Sequence, residues 1–206
     1  MRYKAVLFDL GGVVVGSPLE TIARYETERG IPAGFLNRVV LTAGAAGAWA
    51  RLERGELGLE AFYPAFEDEC AAAGCRIDAR EMMARVSGAT VPRPAMLEAI
   101  RRIRVRGLLA GAVTNNWITE DEGARVLRPH FDAFVESSVA GVRKPDPRIY
   151  ELACAELHIA PPEAVMLDDI GANLKTARAL GMATIRVIDP DAALGELEEL
   201  LGFPLR

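Results

Sequence analysis

The sequence predicts an α/β protein, with a parallel sheet flanked by helices. From about residue 92 onward, short apolar runs alternate with segments of helical spacing, as in repeated βα units. An apolar run typical of a buried strand also opens the chain, at Ala5–Phe8. Three of the runs end in polar residues, Asp9, Thr114 and Asp168. A parallel sheet would bring these ends to one edge, where open α/β sheets bind ligands.

The length, composition and charge of the chain restrict the number of domains, the partners and the cellular location that we expect. The 206 residues are enough for one domain, or for one domain that carries an insertion, and half of them are apolar. A net charge of −5 argues against nucleic acid or an anionic membrane surface as a partner. Residues 1–4 do not resemble a signal peptide, and the three scattered cysteines are expected to be free thiols. We therefore expect a cytoplasmic protein without a membrane span, as a monomer or a homodimer.

The elements of the βα part follow from spacing and from the residues that end each segment. Helical spacing predicts helices over residues 95–106, 120–128, 146–157 and 173–180, three of which stop at Gly107, Pro129 and Gly181. Apolar runs predict strands over residues 108–114, 133–138, 164–167 and 184–188.

Residues 17–90 interrupt this alternation. They are rich in Ala, Glu and Arg, have helical spacing and contain no convincing strand. The sequence therefore predicts a helical cap of residues 17–90, inserted into a core of residues 1–16 and 91–206. Residues 16–18 and 92–94 contain the glycine and prolines expected where the chain leaves and re-enters the core. Within the insertion, Trp49 is expected to pack between helices, and residues 51–60 to form a solvated helix turn.

A cluster of carboxylates suggests a metal site. Asp9, Asp168 and Asp169 come at the ends of strands that are expected to be neighbours. Such a cluster is unfavourable unless a cation neutralises it. Oxygen ligands without a nearby His or Cys favour a hard ion, and Mg²⁺ is the natural choice.

Three further side chains can hold a phosphate beside that ion. Thr114 can donate its hydroxyl, Asn115 its amide and Lys144 its ammonium. Gly11 and Gly12, directly after Asp9, allow backbone N–H groups to approach a ligand. The set suits the stabilisation of a transferring phosphoryl group, with a carboxylate as the covalent nucleophile.

Four segments carry a family resemblance: Phe8-Asp9-Leu10-Gly11-Gly12-Val13, Thr114-Asn115, Lys144-Pro145-Asp146, and residues 167–174. They resemble the four ordered motifs of the haloacid dehalogenase superfamily. The last two thirds of the chain are similar, more narrowly, to the N-terminal phosphatase domain of soluble epoxide hydrolases and to the phosphatase-like domains of some acyl-CoA dehydrogenases. The resemblance implies a Rossmann-like core with a helical cap after the first strand.

The resemblance also implies roles for individual residues. Asp9 would be the nucleophile, Thr114 and Asn115 would bind phosphate, and Lys144 would neutralise charge. Gly11 and Gly12 belong to the same phosphate-binding turn.

For the metal, the resemblance implies three ligands: the Asp9 carboxylate, the Asp169 carboxylate and the backbone carbonyl of Gly11. Behind them, Asp168 would orient Lys144 or a metal-bound water, and Asn173 would support it.

Gly11 departs from the family pattern. The family's phosphatases usually have Asp at this position, which protonates the leaving oxygen and later activates water. Its absence removes acid–base assistance of about 10²–10⁴-fold. The superfamily's dehalogenases also lack this acid, but they need no metal, whereas the Asp168-Asp169 pair favours one. The sequence predicts a Mg²⁺-dependent phosphohydrolase of a small phosphorylated metabolite. The alternatives are a non-catalytic binding module and a hydrolase of the 2-haloacid dehalogenase type.

Overall fold

The computed structural model describes residues 2–118 and 126–206. Its centre is a parallel sheet of five strands in the order β3-β2-β1-β4-β5. The α/β prediction is therefore confirmed. The strands are β1 (Ala5–Phe8), β2 (Leu109–Thr114), β3 (Ala133–Glu136), β4 (Ala164–Asp168) and β5 (Ala183–Arg186).

Helices connect the strands and cover both faces of the sheet. Six of them lie between β1 and β2: α1 (Pro18–Glu28), α2 (Phe35–Ala43), α3 (Ala48–Glu53), α4 (Leu59–Ala72), α5 (Ala79–Gly88) and α6 (Pro94–Val105). The others are α7 (Ser137–Ala140), α8 (Pro147–Glu156), α9 (Gly171–Ala179) and α10 (Pro190–Leu201). None of the helices within the described residues is both long enough and apolar enough to cross a membrane.

The central strand β1 shows why the first apolar run lies inside. Successive side chains of a strand point to opposite faces. Val6 and Phe8 join a core cluster that includes residues of α6 and α10. Ala5 and Leu7 join a second cluster, which includes residues of α8 and α9. All four are fully buried, so a strand covered on both faces needs a continuous apolar run.

Two predicted elements differ from the structure. The strand predicted over residues 133–138 ends at Glu136, because the chain turns into the single helical turn α7 at Ser137. Asn116 fixes this turn, since its backbone N–H donates to the Ser137 hydroxyl at 2.9 Å and its side-chain oxygen accepts from the Ser138 hydroxyl at 2.9 Å. The helix predicted over residues 120–128 lies mostly outside the described residues, and Arg128 begins a separate 3₁₀ turn. Helix α10 had no sequence prediction.

Helices α1 to α5 share a core cluster of their own, and distant glutamates cap two of them. Gly34 and Gly47 precede α2 and α3 and have no side chain to cap them. The buried Glu26 of α1 instead accepts the backbone N–H groups of Gly34 (2.7 Å) and Leu36 (2.8 Å). For α3, Glu69 of α4 accepts the first backbone N–H, at 2.8 Å. Carboxylates thus stabilise helix N-termini that their own sequences leave open.

The two linkers of the helical segment run side by side. Val15 and Pro92 form an antiparallel bridge, and the Gly16 backbone N–H donates to the Val91 carbonyl at 3.1 Å. The chain therefore leaves and re-enters the sheet layer at one place. The division into a core and a cap at residues 16/17 and 90/91 stays a prediction.

We predict that Glu26→Ala destabilises the protein by about 1–3 kcal/mol, because two backbone N–H groups at the start of α2 lose their acceptor. Glu28→Ala is the matched control on the same helix. Its ion pair with Arg85 is largely exposed, so its loss should cost less than about 1 kcal/mol. Urea unfolding of both variants gives the comparison. Equal losses of unfolding free energy would contradict the capping role of Glu26.

Candidate active site

The candidate site lies at the carboxyl ends of the central strands. Phe8 pairs in register with Leu167 of β4 and with Ala112 of β2. The backbone N–H of Asp9 continues the ladder by donating to the Leu167 carbonyl at 2.9 Å. Asp9 and Asp168 therefore stand side by side on one edge of the sheet, although 159 positions separate their numbers in the chain.

Lys144 joins these two acids. Its side chain is 1% exposed, and its Nζ lies 2.8 Å from Asp9 Oδ1 and 2.8 Å from Asp168 Oδ2. Burial alone would lower the pKa of Lys144, but the two carboxylates outweigh it and raise the pKa above its usual value. Lys144 is therefore a cation held between two strand ends.

The two carboxylate oxygens of Asp9 differ, because one has hydrogen-bond partners and the other is open, with none among the described residues. Its Oδ1 accepts the backbone N–H of Leu10 at 2.7 Å and also faces Lys144. Within the described residues, Oδ2 has no hydrogen-bond partner. Burial raises the pKa of Asp9 to about 7; Lys144 opposes the shift and the charges of Asp168 and Asp169 add to it. The carboxylate is thus fixed on one side and available on the other.

Asp168 is fully buried and uses both of its oxygens. Oδ1 accepts the Ile170 backbone N–H at 2.8 Å and the Asn173 amide at 3.0 Å. Oδ2 accepts Lys144 Nζ at 2.8 Å and the same Asn173 amide at 3.1 Å. The Asn173 carbonyl in turn accepts the hydroxyl of the buried Tyr150 at 3.0 Å. Asp168 and Asn173 therefore hold Lys144 in place.

Asp169 is the acid that these contacts leave without a partner. Its Oδ1 is buried, and no described residue offers it a hydrogen bond. Burial and the neighbouring Asp168 charge raise the pKa of Asp169 to about 6. One oxygen from each of Asp9, Asp168 and Asp169 lies within 4.8 Å of the others. Three carboxylates facing one lysine, with an open buried oxygen, fit a hard divalent cation such as Mg²⁺.

The turn after Asp9 brings the backbone close to this cluster. Gly12 has φ +76°, and a Cβ there would lie 2.4 Å from Asp169 Oδ2. Gly11 has φ −62°, which any residue adopts, and a Cβ there would lie 3.0 Å from the Pro18 ring. The geometry therefore requires glycine at position 12, whereas position 11 has only a tight contact.

The sequence predicts only that Asn115 donates its amide to a phosphate, whereas in the structure its side chain also binds the backbone of Lys144. Its Oδ1 accepts the Lys144 backbone N–H at 2.8 Å, and its Nδ2 donates to the Lys144 carbonyl at 3.1 Å. The amide thus positions the Lys144 loop and keeps one N–H for a ligand. The hydroxyl of the buried Thr114 makes only a 3.5 Å contact, with the Asn115 carbonyl. Whether either residue binds phosphate stays a prediction.

A cavity of about 750 Å³ lies against these groups. Polar residues on its surface include Asp9, Gly11, Lys144 and Asp169, and much of the remaining wall is apolar. The helical segment and the loop after β2 supply apolar side chains to that wall: Ile22, Leu36, Val40, Trp49 and Trp117.

Trp49 packs as the sequence predicts. Its ring meets Phe62 and Phe66 edge-on, with centroids 5.7 and 5.5 Å away. The ring centroid of Trp117 lies 6.2 Å from that of Trp49, and Trp117 also lines the cavity. The two tryptophans join the helical segment to the loop that follows β2.

Glu53 and Arg143 line the cavity without having been predicted from the sequence. Residues 51–60 were expected to form a solvated turn, yet Leu52 is 1% and Glu53 7% exposed. Arg143 Nε lies 2.5 Å from Glu53 Oε2, and the Trp49 indole N–H donates to Oε1 at 3.0 Å. The positive charge of Arg143, directly before Lys144, was the available signal. Its partner Glu53 lies ninety positions earlier in the chain, so sequence spacing could not pair the two residues.

Comparisons with known proteins agree on one family. The family model described as haloacid dehalogenase-like hydrolase matches residues 3–181. Acyl-CoA dehydrogenase family member 10 of Mus musculus is 39% identical over 98% of this chain and 20% of its own length. Bifunctional epoxide hydrolase 2 of Sus scrofa is 37% identical over 100% of this chain and 40% of its own length. The chain thus spans less than half of these relatives.

Two further comparisons cover more of the matched protein. A sesquiterpene phosphatase of Aspergillus oryzae is 24% identical over 97% of each chain. The structure of a predicted HAD-like hydrolase from Porphyromonas gingivalis has a TM-score of 0.69, with 19% identity over 98% of each chain. A HAD-family enzyme of Bacteroides thetaiotaomicron, in complex with magnesium and inorganic phosphate, has a TM-score of 0.60 and 18% identity over 89% of this chain and 93% of its own. These likenesses confirm the fold.

We predict opposite tolerance at the two glycines after Asp9. Gly12→Ala should lower the free energy of unfolding by about 1–3 kcal/mol, because alanine is strained at φ +76° and its methyl group meets Asp169. Gly11→Ala, the matched control, should cost less than about 1 kcal/mol, since only the Pro18 ring must shift. Urea unfolding measures both. A larger loss for Gly11→Ala would show that the turn has another conformation.

A second prediction concerns pH in metal-free buffer. In the folded protein the pKa of Asp9 is about 7, above the ordinary value of 3.8 for an aspartate. The ionised carboxylate therefore weakens folding as the pH rises between about 4 and 7. Asp9→Asn removes this effect, so it should unfold at higher urea concentration than the parent at pH 7.5, and the gap should close toward pH 4. A constant gap between pH 4 and 7.5 would contradict the raised pKa.

Proposed function

The chain belongs to the haloacid dehalogenase-like hydrolases, and on that premise we propose that it is a Mg²⁺-dependent phosphohydrolase that forms an aspartyl-phosphate on Asp9. One observation carries the proposal: Asp9 lines the cavity with one oxygen bound and one open, beside the unpartnered oxygen of Asp169. A carboxylate so fixed can act as a nucleophile, and a cation beside it can hold the phosphate it attacks.

In the proposed reaction, each polar group of the site has a defined role. The open oxygen of Asp9 attacks phosphorus, while Lys144 keeps that carboxylate in position and offsets negative charge. Thr114 and the remaining N–H of Asn115 donate to phosphate oxygens, as does the backbone N–H of Gly11. The Gly12 N–H already donates to the Gly16 carbonyl at 3.1 Å, so Gly12 contributes by letting the turn approach Asp169. Donors that are already fixed before the reaction stabilise the developing charge most effectively.

The Asp9 and Asp169 carboxylates and the Gly11 carbonyl would hold Mg²⁺. When bound, the ion would polarise the phosphoryl group and neutralise the charge that Lys144 leaves uncompensated. Asp168 would act indirectly, because its two oxygens already bind Lys144, Ile170 and Asn173.

The cavity also bears on the substrate. The walls contributed by α1, α2 and the two tryptophans are apolar apart from Asn37, whereas Asp9, Asn115 and Lys144 line the cavity from the strand ends. We infer a small phosphorylated substrate whose organic part is largely apolar. The relative that is a sesquiterpene phosphatase fits this inference. A cytoplasmic location and a monomeric or dimeric state stay predictions.

Gly11 keeps a second function open. A carbon–halogen hydrolase also uses a carboxylate nucleophile and needs no acid at this position. The open oxygen of Asp169 favours the phosphatase, because a metal-free reaction has no use for a buried, unpaired carboxylate. A binding module without catalysis is the remaining alternative.

One assay separates these functions: release of phosphate from p-nitrophenyl phosphate with Mg²⁺ and with EDTA. We expect Mg²⁺-dependent release. Halide release from 2-haloacids in EDTA would instead indicate the dehalogenase, and the absence of both activities a binding module.

Two variants test the assigned residues. Asp9→Asn should lower phosphate release by at least about 10³-fold, since an amide is a poor nucleophile. Asp169→Ala should retain some activity at high Mg²⁺ but require about tenfold or more Mg²⁺ for half-maximal rate. Asp146→Ala is the control, because Asp146 lines the cavity but binds Arg148 and caps α8. Activity of Asp9→Asn above a tenth of the parent would exclude Asp9 as the nucleophile.

A further inference from the structure

A buried carboxylate of the helical segment faces the cavity from outside the acidic cluster. Glu53 ends α3, is 7% exposed and lines the cavity. Its Oε1 accepts the Trp49 indole N–H, but its Oε2 accepts no hydrogen bond from the described residues. Arg143 lies 2.5 Å from Oε2 without the direction that a hydrogen bond requires. Glu53 is therefore a carboxyl group in the wall of the cavity, with one buried oxygen that no hydrogen bond satisfies.

The other acids on the cavity wall are already committed. Among the described residues that line it, four have a carboxyl group: Asp9, Glu53, Asp146 and Asp169. Asp9 faces Lys144, and Asp169 belongs to the candidate metal cluster. Asp146 caps α8 and pairs with Arg148. Glu53 is the one that has neither a metal-binding position nor a helix to cap.

The proposed reaction lacks a proton donor at the place where related phosphatases have one, since Gly11 has no side chain. We propose that Glu53 supplies this function from the helical segment, as the acid that protonates the leaving oxygen and the base that then activates water. This inference rests on the proposed function. It assigns a catalytic residue that the motif pattern does not contain.

The two steps balance as follows. An Asp9 oxygen bonds to phosphorus while the bond from phosphorus to the ester oxygen breaks, and the electron pair stays on that oxygen. The Glu53 carboxyl gives this oxygen its proton, and the alcohol leaves. In the second step water bonds to phosphorus, the bond to Asp9 breaks, and the water proton returns to Glu53. Phosphate and alcohol are the products, and Glu53 ends the cycle protonated.

The surroundings of Glu53 suit both steps. Burial raises its pKa above the ordinary value, although the charges of Arg143 and Lys144 and the bond from Trp49 oppose the shift. Burial thus favours the protonated form, which the first step needs. Arg143 stabilises the carboxylate that remains after proton donation. Glu53 pairs with Arg143, whose neighbour in the chain, Lys144, contacts Asp9, so two adjacent residues link the acid to the nucleophile.

The test compares two leaving groups with Glu53→Gln in the full chain, in the presence of Mg²⁺. An alkoxide needs a proton in order to leave, whereas p-nitrophenolate does not. For n-hexyl phosphate, kcat/KM should fall by about 10²–10⁴-fold, and for p-nitrophenyl phosphate by less than about threefold. The second step should also slow for both esters, which would give a burst of p-nitrophenolate before the steady state.

Two controls separate proton transfer from a structural role. Arg143→Gln removes the ion pair but keeps the carboxyl group, so it should lower kcat/KM for hexyl phosphate by less than Glu53→Gln does. Glu56→Gln changes an exposed glutamate of the same segment and should leave both rates unchanged. Gly11→Asp in the Glu53→Gln background should restore hexyl phosphate turnover by at least about tenfold, because φ −62° accepts a side chain at position 11.

The remaining outcomes overturn the proposal. Equal losses for both esters in Glu53→Gln, without rescue by Gly11→Asp, would make Glu53 a contact between the helical segment and the core. An unchanged kcat/KM for hexyl phosphate would exclude it altogether. A parent protein that hydrolyses neither ester with Mg²⁺ would instead refute the proposed function itself. Circular dichroism, with the retained kcat/KM for p-nitrophenyl phosphate, checks that Glu53→Gln folds.

Discussion

The buried ammonium of Lys144 is the interaction on which the candidate site depends. A buried cation is costly unless it is paired, and this one has a carboxylate 2.8 Å away on each of two neighbouring strand ends. One side chain therefore ties β1 to β4 beyond the backbone ladder. Asn115 holds the lysine backbone and Asn173 holds Asp168, so the orientation of Asp9 follows from a network of fixed polar contacts.

Within that network, the negative charges of the carboxylates outnumber the positive charges. Lys144 faces three carboxylates, and the neighbouring Glu53–Arg143 pair adds one charge of each sign. The excess of negative charge falls on Asp169, whose buried oxygen is open. The apolar walls of the cavity lower the local dielectric constant and thereby strengthen every one of these interactions. A site of this kind favours a cation first and, once it is bound, an anion.

The sequence predicted those parts of the fold that neighbouring residues in the chain determine. The run at Ala5–Phe8 is buried on both faces, and the acids at strand ends met because parallel strands share an edge. The turn at Ser137 escaped prediction because Asn116, from another strand end, fixes it. Glu53 escaped for the same reason: its burial depends on Trp49 and Arg143, and a charge-rich segment is ordinarily exposed. Contacts between distant segments have no signature in spacing.

The paired linkers at Val15 and Pro92 have a consequence for how such a protein can diversify. The chain leaves the sheet layer at Val15 and returns to it at Pro92, and these two residues are paired. The sheet therefore requires only that the two ends of the inserted segment lie next to each other. A helical segment of different length or shape could be accommodated there without moving Asp9, whose position is set by β1 and Lys144. Only two short stretches of backbone join the helical segment covalently to the sheet, so the lining of the cavity can change while the strand ends stay in place. The contacts that must change with it are those of Glu53 with Arg143 and of Trp49 with Trp117.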